Sequence, residues 1–394
     1  MDKLLSHPLR YAWILIGLMG CGNDAPPGVT VTDSAGVRIT ITPDDPRSFA
    51  ELDSTPALSF GGAETDGPTQ FFGIQGIHVD DRERIWVADA QSGELRIFDA
   101  DGSHWKTRGG RGEGPGEFVR IRLLGSPRGD SVLVGDSGTN RITIFDAEGE
   151  IVRTEPVPAT ERAVPRLFDV FVDGSALGRV PLTVAATSLE PGSVLRDSVE
   201  LVRLRRDSAR FDAWGTAPGP LWLWTGANQI PIPFTVNASF DILGADVHLV
   251  SGPDFRIRVL ERGDLREIYG MDRQRRAIDD SDIAAYHDFV EEWIPAAERA
   301  GYLAAVTHEQ RPEHLPGYDR VVVSQEGYVW AQVYESDLTA AHDWHVFDDE
   351  RHFVGHVTVW GGFQPMVITQ DAMVGVWRDE LGIEHVRVYE FTRR

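Results

Sequence analysis

Cysteine occurs once in the 394 residues, at Cys21. No intramolecular disulfide can form, so the folded chain must be held by packing. Basic residues are also scarce, with 38 Lys and Arg against 61 Asp and Glu and a net charge of −23. A surface of that sign repels phosphate backbones and anionic headgroups, which excludes nucleic acid as a natural partner. Long apolar runs are missing as well. The run over residues 11–19 is too short to span a bilayer. His-Glu-x-x-His, Gly-x-Ser-x-Gly and any cysteine pair are absent, and with them the usual zincin, α/β-hydrolase and redox signatures.

What the N-terminus does contain is a positively charged start, with Lys3 and Arg10, followed by that apolar run and then Leu18-Met19-Gly20-Cys21. This has the layout of a signal peptide, and its last four residues resemble a bacterial lipobox. The pattern predicts a signal peptide over residues 1–20, a diacylglycerol thioether on Cys21, and a polar tether over residues 21–35. Membrane attachment is then expected through the Cys21 lipid alone. Gly22 after the cysteine points, by resemblance to enterobacterial sorting, to the outer membrane or the periplasmic face of the envelope.

The clearest internal signal is a repeat. Gly62, Gly67-Pro68 and Phe71 recur as Gly109, Gly114-Pro115 and Phe118, Asp89 recurs as Asp136, and Phe98-Asp99 recurs as Phe145-Asp146, all at an offset of 47 residues. A period of about 40 to 50 residues with strand-like content marks propeller blades. Within one copy, Ile77-His78-Val79, a charged turn, Ile85-Trp86-Val87 and the alternating Leu95-Arg96-Ile97 read as consecutive strands. Asp101-Gly102 supplies the pair that favours a tight turn. Asp89 and Asp136 suit turns held by side-chain bonds to nearby amides.

Val134-Gly135-Asp136-Ser137, Asn140-Arg141-Ile142 and Phe145-Asp146-x-x-Gly149 resemble an NHL repeat, and residues 109–118 resemble the inter-repeat loop of that family. The whole chain resembles the bacterial six-bladed β-propeller lipoproteins. The resemblance implies an all-β fold of six four-stranded antiparallel blades over residues 36–394.

Later blades follow in order of elements, without the 47-residue period. The alternating residues 36–42 have no nearby partner, and we assign them to the last blade, where strands from both termini would remove exposed edges. Residues 273–318 change period: Ile283, Tyr286, Phe289, Val290 and Trp293 fall at helical spacing, with Ser281 placed as a cap and Pro295 as a stop. This predicts a helical insertion between blades, its aromatic stripe packed on the propeller, or else acting as a lid. A seventh blade would have to lie within residues 209–240.

No ligand site is legible. The glycine-dense residues 109–116 lack the Gly-Lys-Ser/Thr ending of a phosphate loop and read as a tight crossover. His342 with His345, and His352 with His356, have strand spacings that bring neither pair together on one face at ligand distance. We therefore expect no catalytic or metal residue. The function expected is a non-enzymatic binding or scaffold module recognising an envelope protein, peptide or glycan, without a cofactor. The alternative, by analogy with six-bladed lactonase-like propellers, is a hydrolase or lyase with calcium held in the central channel by Glu, Asn and Asp. No residues here can be assigned to those ligands.

Overall fold

The computed structural model describes residues 27–62, 67–127, 131–182, 189–337 and 339–394. Cys21 and the predicted signal peptide lie outside the described residues. Strands fall into six sheets whose first strands face a common channel. Blade one holds Ile74–Val79, Ile85–Asp89, Glu94–Phe98 and His104–Gly109. Blade two holds Ile121–Gly125, Ser131–Asp136, Arg141–Asp146 and Ile151–Pro156. Blade three starts at Arg166–Val170, blade four at Ser239–Leu243, blade five at Tyr318–Val323 and blade six at Phe363–Ile368. Six blades are thus present, and residues 209–240 build no seventh: they supply Arg210–Trp224 and Gln229–Pro231 to blade three.

The strand sequences explain why the sheets stack radially. Successive side chains point to opposite faces, and a blade has a neighbour on each side, so both faces must be apolar. In Ile85–Asp89, Trp86 and Ala88 enter a cluster shared with blade two, while Ile85 and Val87 enter one shared with blade six. Such a cluster fills each of the six junctions between neighbouring blades. Burial of this apolar surface on both sides of every blade replaces the missing disulfides.

Ring closure differs from expectation. Val37–Pro43 does not join blade six. It pairs in parallel with Asp264–Asp272 at the outer edge of blade four, and Thr30–Ser34, read above as tether, forms a hairpin outside it. From there the chain runs along the rim: Thr42 Oγ1 accepts from Phe353 N (3.4 Å), and Phe49 N donates to the His356 carbonyl of blade five (2.9 Å). The seam itself is made by Ala50–Leu52 and Leu58–Gly61, both antiparallel to Glu384–Arg393 of blade six. Alternation identified residues 36–42 as a strand, but its partner is more than two hundred residues away and any outer edge offers the same backbone groups.

Two helices separate blades four and five: α1 (Asp280–Trp293) and α2 (Arg299–Val306). The cap of α1 is Asp279 rather than Ser281. Asp279 accepts from the Ser281 and Asp282 amides while Asp282 accepts from the Asp279 amide, a reciprocal capping box. Tyr286 and Ile283 pack with Phe234, Val306 and Leu315, and α2 packs on an extension of blade three through Leu223, Ile230 and Ala305. Among the described residues no helix is long and apolar enough to cross a membrane.

Candidate functional site

The first strand of each blade runs along the channel, so its pleat decides what the channel presents. Gln75 and Arg122 occupy the same position in the two regular blades, 47 residues apart, and Arg122 Nη2 donates to Gln75 Oε1 at 3.3 Å. Arg166 follows from blade three and Arg320 from blade five. With the Gln364 amide of blade six oriented so that its oxygen faces Arg320, the Nη1 contact is 2.6 Å. Arg179, on the second strand of blade three, lies directly across from Arg166 in the register. Arg122, Arg166, Arg179, Arg320 and Gln364, with Arg378, Asn237, Asp319 and His342, surround a void of about 600 Å³ at the end where the inner strands begin.

In a chain with so strong an acidic excess, this wall is cationic. Arg378 is neutralised by Glu384 (2.7 Å). Among the described residues, no carboxylate forms an ion pair with Arg122, Arg166, Arg179 or Arg320. Surrounding protein, and then repulsion from Arg166, Arg179 and Arg320, push the Arg122 guanidinium below its ordinary value. Arg179 moves the same way from crowding and from Arg166, with the charge of Asp197 opposing. Guanidinium groups nevertheless stay protonated in proteins. The like charges therefore persist and repel one another across the channel.

Deeper along the inner strands, a void of about 410 Å³ is lined by Asp169 of blade three and Asp241 of blade four. Asp241 is fixed by the Val323 amide (2.7 Å) and its neighbour Ile242 (2.7 Å). Burial, and then the Asp241 charge, raise the Asp169 carboxyl well above the ordinary range. Burial also raises Asp241, to about 6, against the hydrogen bonds it accepts and the charge of Arg320. Burial and their mutual charge both act against ionising the two carboxyls together.

The lactonase-like alternative would need carboxylates and amides gathered around calcium in this channel. Among the described residues no group of three or more His, Asp, Glu or Cys side chains converges to hold a metal ion. A dication in the wider part would stand beside the guanidinium groups of Arg122, Arg166, Arg179 and Arg320, which repel it.

The residues singled out in the sequence have structural places. Asp89 accepts from Phe72 N (3.2 Å) and Gln91 N (3.0 Å), and Asp136 from the equivalent Val119 N (3.1 Å) and Gly138 N (2.9 Å). Both hold turns. Residues 109–116 form the crossover: Gly110 N donates to the Gly93 carbonyl, and a Cβ on Gly93, at φ +69°, would lie 2.7 Å from Phe118 O. His345 is buried, bonded to the Tyr318 hydroxyl (2.9 Å), and burial lowers it to about 3, so it stays neutral. His342 alone of the four histidines lines the channel. The channel arginines escaped sequence reading because each stands alone in its strand. The one available signal was the charged residue at the Gln75 position of the second repeat.

Fold and channel together define a six-bladed β-propeller with a cationic central site. The family DUF5128, described as a 6-bladed beta-propeller, matches residues 51–165, which span the first two blades and their approach. No curated protein matches the chain. Similar solved structures include a member of the duf4221 family from Bacteroides vulgatus, at 10% identity and a TM-score of 0.53, covering 88% of this chain and 100% of that one. A protein from Bacteroides fragilis described as exported gives 10% identity and a TM-score of 0.47, covering 89% and 100%. A gluconolactonase from Xanthomonas campestris gives 13% and 0.43, covering 89% and 99%. At such identities the likeness concerns the fold and says nothing of ligand or reaction.

Proposed function

We propose that the protein is an exported, membrane-tethered, non-enzymatic binding propeller with NHL-like repeats whose central channel takes a small acidic saccharide, carboxylated or phosphorylated. The supporting observation is the set of four guanidinium groups, Arg122, Arg166, Arg179 and Arg320, that face one void without ion-pair partners. Planar guanidinium forks bind carboxylate and phosphate bidentately, and an anion there relieves their mutual repulsion. Anchoring through Cys21 is part of the reading and rests on the lone cysteine after the apolar run. Its check is a Cys21→Ser variant, which is expected to leave the membrane fraction; continued sedimentation with membranes would refute the anchor.

Thermal unfolding with galacturonate, glucose 6-phosphate and neutral glucose tests the channel. A ligand of the folded state raises the midpoint, by about 2.7 kcal/mol of stabilisation at a hundredfold excess over its dissociation constant. The two anions are expected to raise it and glucose to leave it unchanged, with the response lost in an Arg122→Gln/Arg166→Gln variant. Equal responses to all three sugars, or to none, would defeat the reading.

A further inference from the structure

The helical insertion and the extension of blade three leave a second void between them, of about 620 Å³. Its walls are aromatic: Trp222 and Phe234 from the blade-three side, Tyr286, Phe289 and Trp293 from α1, and Tyr334 from blade five. Only part of the α1 stripe is spent on packing. The Tyr286 ring lies tilted at 6.0 Å from that of Phe234, and its hydroxyl is withdrawn from solvent without a hydrogen-bond partner. Trp293, at the far end, is 56% exposed and lies against Gly382 in a loop of blade six.

The charged residues of this cleft are all of one sign. Asp288 and Glu292 come from α1, Glu335 and Asp337 follow strand Val329–Val333, and Asp319 belongs to strand Tyr318–Val323; among the described residues no Lys or Arg lines it. Burial, and after it the nearby charges of Asp343 and Asp282, raise the Glu335 carboxyl, with Arg276 opposing. The carboxylates are spread around the rim and form no metal cluster among the described residues. A small, strongly hydrated ion would gain little from such walls. A large, weakly hydrated cation gains from the aromatic faces and the carboxylates together.

We propose that this cleft binds an organic ammonium group, quaternary or protonated, held between Trp222 and the α1 aromatics and balanced by the rim carboxylates. The inference is independent of the anion reading for the channel, although the two voids share Asn237 and Asp319.

The test is a titration of the purified protein with choline, followed by calorimetry and tryptophan fluorescence, beside the neutral isostere 3,3-dimethylbutan-1-ol. Choline is expected to bind at least tenfold more tightly than the isostere, and Trp222→Ala to weaken it about tenfold, the loss of one desolvated cation–π contact. Glu335→Gln, which keeps the packing, is expected to weaken choline and leave the isostere unchanged. Arg166→Gln, in the channel, should leave choline binding intact. Absence of choline binding, equal affinity for the isostere, or loss of choline binding in Arg166→Gln would each overturn the proposal.

Discussion

Phe72 and Val119 donate to Asp89 and Asp136, Gln91 and Gly138 donate to the same two carboxylates, and each pair stands 47 residues apart. Blades one and two therefore repeat down to single hydrogen bonds. Blades three to six keep the order of strands and some of the turns, such as the Asp146 turn that recurs at Asp348 and Asp379, but not the 47-residue spacing. Blade three carries a long hairpin and a fifth strand, blade four takes two strands from the N-terminus, and the helices enter before blade five. The regular blades contribute Gln75 and Arg122 to the channel, while the irregular ones contribute the Arg166–Arg179 pair, the Asp169–Asp241 pair and the aromatic cleft. Repetition fixes the frame, and departures from it shape the channel and the aromatic cleft.

That division can be broken most severely in the regular half. Asp136 also accepts from Arg120 N (2.8 Å) and Thr139 Oγ1 (2.6 Å). Asp136→Ala leaves these buried donors unpaired and is expected to cost about 3 kcal/mol in a denaturant titration. Although burial pushes its carboxyl up, the hydrogen bonds outweigh burial and hold it below the ordinary range. Its contribution is thus present above the ordinary carboxylate pKa and lost as pH falls through the depressed value. The deficit of the variant should narrow in acid, and a deficit independent of pH would contradict this account.

In the irregular half the sign reverses. Asp169 and Asp241 are raised, so the stability they permit is complete below the ordinary carboxylate pKa and declines as pH rises towards and beyond about 6. Asp169→Asn is expected to gain about 1 kcal/mol over the wild type between pH 5 and 8. Melts at the two pH values decide the matter, and a constant difference would contradict the raised carboxyls. A smaller gain is expected for Arg179→Gln, about 0.5 kcal/mol, because it separates opposed like charges. The same variant should lose the response to galacturonate, a trade of function for stability. Destabilisation by this change would mean that the guanidinium has a structural partner. The smallest effect is expected at the rim, where Arg394 meets the exposed Glu51 (2.5 Å). Arg394→Ala should leave the denaturation midpoint unchanged within error, and a clear drop would show that the seam depends on side chains as well as backbone.

Sequence legibility follows the same division. The period, the turn aspartates and the Asp101-Gly102 turn, with Gly102 at φ +80°, were readable because each is local. The α1 stripe was readable from spacing, though not its split between Tyr286, which packs, and Trp293, which stays open. The channel was not legible. Arg122, Arg166 and Arg320 are isolated charges in three strands, and only ring closure brings them to one void. Residues 36–42 failed for a related reason, since pleat alternation specifies a strand and a face but no partner.

The stretch from Thr30 to Gly61 runs over the rims of blades four, five and six before blade one begins. In amide hydrogen exchange, the outer strands of these three blades should open as one cooperative unit, because none can peel away while the overlying segment stays paired. Among the described residues no such segment pairs with the outer strands of blades one and two, His104–Gly109 and Ile151–Pro156, which are tied to their neighbours only by side chains, such as Lys106 to Glu150 and Arg206 to Glu155. The half of the ring with the least regular sequence is thus the half that the chain fastens twice.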